Sequence, residues 1–76
     1  MTVYVSIIQD RHTDVEAELF TTAAAAVAYA RAAILDIAHG EEDGFEEEDI
    51  EGWVYFAQYK YERDCVRVYK KELRAK

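Results

Sequence analysis

Three places in this chain gather side chains able to do chemistry. Asp10, His12 and Asp14 fall within five residues and have the donor types of a metal site or an acid–base pair. A metal site asks for three or four ligands, and nothing else is clearly placed beside these. Aspartates in turns ordinarily hydrogen-bond backbone amides, so the segment reads as turn chemistry. Cys65 is the only cysteine, with Arg63 and Arg67 nearby to favour a thiolate, but it opens an apolar strand and reads as inert. Ser6, the only serine, sits in mid-strand, and His39 caps a helix end better than it serves as a base. The glycines at 40, 44 and 52 match neither the dinucleotide nor the phosphate-loop spacing. The expectation is a protein that is not an enzyme and needs no cofactor or metal.

The third place is acidic. Glu41, Glu42, Asp43, Glu46, Glu47, Glu48, Asp49 and Glu51 put eight of the sixteen acids between positions 41 and 51. The spacing is not that of an EF-hand. A dense carboxylate cluster could instead occupy a basic groove meant for nucleic acid, by presenting charge to closely spaced arginines. The plainer reading is a solvated loop. The bases cluster too: seven of nine lie in the last 17 residues. The net charge of −7 therefore divides into an acidic middle and a basic end, 65–76. The overall field opposes a polyanion, while a local basic strip remains.

These residues must be carried by a small scaffold. Seventy-six residues make one domain, 1–76. No run approaches transmembrane length, no basic region precedes the short apolar run near Met1, and Cys65 is the only cysteine; the expectation is a cytoplasmic, reducing compartment with no secretory leader and no membrane. Residues 2–9 have the β-branched alternation of a strand, and Asp10–Asp14 closes a hairpin. Residues 15–20 alternate as a half-buried strand; if they were not a full strand, the topology would read βαββ. Thr21 or Thr22 caps a helix over 22–39 that is rich in alanine, and His39–Gly40 ends it. Phe45 is expected to tuck under the helix end and pin the acidic loop. Strands follow at 53–61 and 65–71. The expected fold is α+β: ββαββ, a four-stranded antiparallel sheet with one helix packed on one face.

Alternation divides each strand into two sets. One is Val3, Val5, Ile7, Val15, Ala17, Leu19, Val54, Phe56, Val66 and Val68. This aliphatic set is expected under the helix. The other includes Tyr4, Trp53, Tyr55, Tyr59, Arg67 and Tyr69, and is expected on the uncovered face. An exposed aromatic face marks an interaction surface. The expected function is a non-catalytic protein-interaction module that forms a homodimer or larger assembly through that face. The alternatives are a partner protein with a basic surface bound by the acidic loop, and a sheet platform stacking nucleic-acid bases.

The pattern Asp10-Arg11-His12-x-Asp14, then an alanine-rich helix, an acidic stretch, Gly52-Trp53-x-Tyr55 and Asp64-x-Val66-x-Val68, resembles short uncharacterised proteins of bacteria and their phages. The resemblance covers most of the chain and brings no activity. It implies one role, inhibition of a host defence or nucleic-acid-handling protein by phosphate mimicry, in the host cytoplasm if the protein is phage-encoded.

Overall fold

The computed structural model describes residues 1–10 and 14–74. Its elements are β1 (Thr2–Gln9), β2 (Glu16–Phe20), α1 (Ala23–Ile37), a 3-10 turn (Glu42–Gly44), β3 (Phe45–Glu47), β4 (Tyr55–Tyr59) and β5 (Cys65–Glu72). The α+β class and the single helix on an antiparallel sheet stand. The sheet has five strands, in the order β2-β1-β5-β4-β3, and every neighbouring pair is antiparallel.

The fifth strand corrects the expectation of four. It lies inside the acidic stretch, where glutamates have low strand propensity and give no periodic signal. Phe45 creates it. The ring is buried in the core beneath the helix and sits opposite Tyr59, which lays the next residues along β4. The expected anchoring of the acidic segment by Phe45 is therefore observed. The 53–61 strand is shorter than expected, because the Trp53 amide closes a turn onto the Ile50 carbonyl and Gly52 adopts φ 92°.

The helix begins as its sequence suggests. Thr22 is the N-cap, and its hydroxyl accepts from the Ala25 amide. At the far end the Gly40 amide donates to the Leu35 carbonyl and the His39 amide to Asp36, the paired bonds of a Schellman motif. The first left-handed residue there is His39, at φ 58°, followed by Gly40 at φ 81°. Both residues of the expected His39–Gly40 stop thus take the left-handed conformation.

The larger correction concerns the two faces of the sheet. The helix covers Tyr4, Ser6 and Ile8 of β1, Phe20 of β2, Tyr55, Ala57 and Tyr59 of β4, and Val66 and Val68 of β5. Tyr4, Tyr55 and Tyr59 thus lie on the covered side, against the prediction. The register decides it: Ser6 stands opposite Val68, Ile8 opposite Val66 and Tyr55 opposite Val68, all on one side, and the packing there suits a close helix. Ala26, Ala30 and Ile34 face the sheet and are fully buried. The floor beneath them includes Ser6 and Ala57, both fully buried as well. Small residues on both surfaces let the helix axis approach. The bulkier Tyr4, Phe20, Tyr55 and Tyr59 stand partly buried around this contact. Phe20 and Tyr29 meet with ring centroids 5.3 Å apart. The rest of the floor is aliphatic, from Ile8, Val66 and Val68.

Candidate functional site

The uncovered face is built from the other parity of each strand. Register places Leu19 beside Val5, Ala17 beside Ile7, Val5 beside Tyr69, Ile7 beside Arg67, and Arg67 beside Phe56. The middle of this face is apolar and aromatic. Its margin carries Gln9, Gln58, Glu46 and Lys71, which share the same parity and are exposed. Of the six residues expected to form an aromatic interface, the structure brings Trp53, Arg67 and Tyr69 together here and sends Tyr4, Tyr55 and Tyr59 to the other side. Val3, Val5, Ile7, Leu19 and Phe56, expected under the helix, take their place.

Trp53 reaches this face from the loop before β4. Its ring meets Tyr69 edge-on, with centroids 5.7 Å apart and planes at 82°. The Arg67 guanidinium carbon lies 5.5 Å from the Trp53 ring centroid. This is within the range of cation–π attraction. Arg67 Nε is buried without a hydrogen-bond partner among the described residues, so stacking is its main compensation. Val3 and Val5 are buried although no helix covers them. Leu19, on the outermost strand, remains 63% exposed.

Cys65 sits at one end of this surface. Its thiol donates to Gln9 Oε1 and accepts from Arg67 Nη1, both at 3.9 Å. Burial pushes the thiol pKa up, and the Arg67 charge opposes that only in part. A protonated, buried thiol is a poor nucleophile.

The acidic segment has a defined shape. All eight of its acids are exposed, on the 3-10 turn, on β3 and on the flanking residues. Two of them face a cation that sequence reasoning missed. Arg31 of α1 lies 3.5 Å from Glu47 and 3.8 Å from Glu42, and its guanidinium stands 6.0 Å from the Phe45 ring centroid. The Tyr55 hydroxyl donates to Glu47 at 2.6 Å. Nothing local in the sequence marks Arg31, because its partners come from two segments beyond the helix.

Of the Asp10–Asp14 cluster, His12 lies outside the described residues. Asp10 lines a groove with Asp36, His39, Glu62 and Asp64 at the C-terminal end of the helix. This groove gathers carboxylates and one imidazole without a serine or cysteine nucleophile. Among the described residues no group of three or more His, Cys, Asp or Glu is arranged to hold a metal ion. No helix among them is long and apolar enough to cross a membrane. No protein family, curated protein or solved structure matches the chain.

Proposed function

We propose that the protein is a non-catalytic interaction module that self-associates through the open face of its sheet. The observation that carries this reading is the composition of that face: Trp53, Phe56, Tyr69 and Arg67 amid Val5 and Ile7, inside a margin of Gln9, Gln58, Glu46 and Lys71. Aromatic residues and arginine at the centre with polar residues at the rim is the composition of protein interfaces.

Size supports a second copy as the occupant. Five strands spaced ~4.8 Å, with up to eight residues rising ~3.3 Å each, make a face on the order of 500 Å² in projection. Side-chain relief brings this close to the ~600 Å² per partner at the small end of specific interfaces. A two-fold assembly needs only one such patch. The margin carries both signs, Glu46 and Lys71, so facing copies need not oppose like charges. A core of this size supplies only ~3–5 kcal/mol by itself, and burying the open face adds to it.

The test is absolute mass in solution by light scattering, at low and high salt. The expected result is a dimer or larger species that strengthens with salt, since screening relieves repulsion between chains of net charge −7. Phe56→Ser should return it to a monomer while the far-ultraviolet spectrum stays folded. A wild-type monomer at millimolar concentration would overturn the reading.

A second reading rests on the acidic segment. Phe45 and Gly44 are buried within it, so its carboxylates project from an anchored backbone. That arrangement suits occupation of a basic groove on a partner protein. Replacing Glu46, Glu48 and Asp49 by their amides should then weaken binding to that partner and flatten its salt dependence.

A further inference from the structure

The outer edge of β2 is a second surface, separate from the open face. β2 stands at one end of the sheet with β1 as its only neighbour among the described residues. Four of its five residues are exposed. Alternate backbone amides and carbonyls along such an edge point away from the sheet and can pair with another strand. The opposite edge, β3, is only three residues long and carries Glu46 and Glu47. Here β2 is longer and ends in apolar residues.

The side chains of β2 are sorted by face. Glu16 and Glu18 lie opposite Ile8 and Ser6 and so point to the helix side. Both carboxylates stand close enough to Tyr29 of the helix to raise its hydroxyl pKa, after burial itself. Ala17 and Leu19 lie opposite Ile7 and Val5 and point to the open side. Leu19 is exposed, and Val15, just before the strand, is 60% exposed.

This pattern disfavours a second copy paired along the whole length of β2. Two-fold antiparallel pairing centred on Ala17 sets Glu16 opposite Glu18. Centring it on Glu18 sets that residue opposite its own copy. Like charges directly opposite are destabilising.

We propose that the β2 edge receives an extended segment of a partner protein that alternates basic with apolar residues, joining the sheet as a sixth strand with its lysines or arginines opposite Glu16 and Glu18 and its apolar residues beside Ala17 and Leu19. Main-chain pairing supplies affinity in this mode, and the alternating side chains supply specificity. The five-residue length of β2 sets the length of the paired core. The segment approaches in the plane of the sheet, so it does not compete with assembly through the open face.

The probe is a short peptide alternating lysine with valine, with a glutamate–valine peptide of equal length as control. Hydrogen exchange followed by NMR reads which amides become protected. The lysine peptide should slow exchange along β2, and the glutamate peptide should bind roughly tenfold more weakly. The double variant Glu16→Lys/Glu18→Lys should reverse that preference. A lysine–valine peptide with alternate backbone amides methylated keeps its charge but cannot pair, and should lose binding. Equal binding of the methylated peptide would overturn the proposal, because it would show charge attraction to an acidic protein and no strand addition. Protection elsewhere than β2, or a preference unchanged by the charge reversal, would overturn it as well. Phe56→Ser should leave peptide binding unaltered, which keeps this test distinct from that of self-association.

Discussion

The Ser6 hydroxyl donates to the Ala26 carbonyl at 2.8 Å, across the interface between the central part of the sheet and the first turns of the helix. Ser6 is fully buried, so this bond both satisfies its one polar atom and fixes how near the helix lies. It explains why the sequence's only serine occupies the middle of a strand.

Ser6→Val should therefore be more harmful than Ser6→Ala. The alanine variant leaves the Ala26 carbonyl with its helical donor and loses one hydrogen bond, about 1 kcal/mol. Valine adds two carbons where Ala26 already presses on the sheet, with overpacking of about 1–3 kcal/mol in addition. Urea unfolding of the three proteins should rank wild type, then alanine, then valine. A valine variant as stable as wild type would show that the helix does not rest on this floor.

His39→Gly should stabilise the protein. A non-glycine residue in the left-handed region costs roughly 1–2 kcal/mol, and His39 holds that conformation at φ 58° as the C′ residue of the helix. Glycine removes the penalty but widens the unfolded ensemble, for a net gain of about 0.5–1 kcal/mol. Thermal unfolding measures it. A loss of stability would mean that the imidazole makes a contact worth more than the backbone strain.

How much of this was legible beforehand divides along local and non-local lines. Thr22, the helix end, the β1–β2 and β4–β5 hairpins and the burial of Phe45 depend on neighbours in sequence, and all were readable. Which face the helix covers depends on the pairing of Ser6 with Val68 and Ile8 with Val66, residues some sixty positions apart. Alternation gives two sets in every strand but does not say which sets share a side. Pairing by chemical likeness joined Val3 and Val5 to Val66 and Val68, and the register places them on opposite sides. The candidate site was consequently half legible: Trp53, Arg67 and Tyr69 were found, while Phe56 and Leu19 were assigned to the core.

Gly44→Ala tests the anchoring of the acidic segment. Gly44 is buried, and a methyl group there would stand 3.1 Å from the Ala38 Cβ and 3.6 Å from its carbonyl oxygen. The turn or the helix end would have to give by a few tenths of an ångström, next to the Phe45 anchor. The expected cost is about 1–3 kcal/mol. Exchange protection should fall in β3 and at the Lys60 amide, which donates to the Gly44 carbonyl. Unchanged protection there would mean that the turn moves without disturbing the edge strand.

Alkaline stability should hinge on Tyr55. Its hydroxyl is pushed well above the usual value of 10.0, first by burial and then by donating to Glu47. A folded-state pKa raised above the unfolded one contributes stability in full below the unfolded pKa, and that contribution is lost as pH rises beyond it. Stability should thus hold up to about pH 10 and fall above it. Tyr55→Phe should be less stable near neutrality and lose much of the alkaline fall. Parallel pH profiles for the two proteins would assign that fall to other tyrosines.

Cys65 offers a readout of the open face from within. Burial raises its thiol pKa above the usual 9.0, and the neighbouring Arg67 charge and hydrogen bond counter part of that rise. Alkylation should accordingly be slow at pH 7 and climb only in the alkaline range. Arg67→Gln removes the opposing charge, so the midpoint of the rate profile should move to still higher pH. If copies pack through this face, the wild-type rate at fixed pH should also drop as protein concentration rises, because Cys65 lies at one end of the surface they cover. A midpoint that does not shift in Arg67→Gln would show that the guanidinium acts on Trp53 alone. A rate independent of concentration, in a sample whose mass shows a dimer, would place the dimer contact away from Cys65.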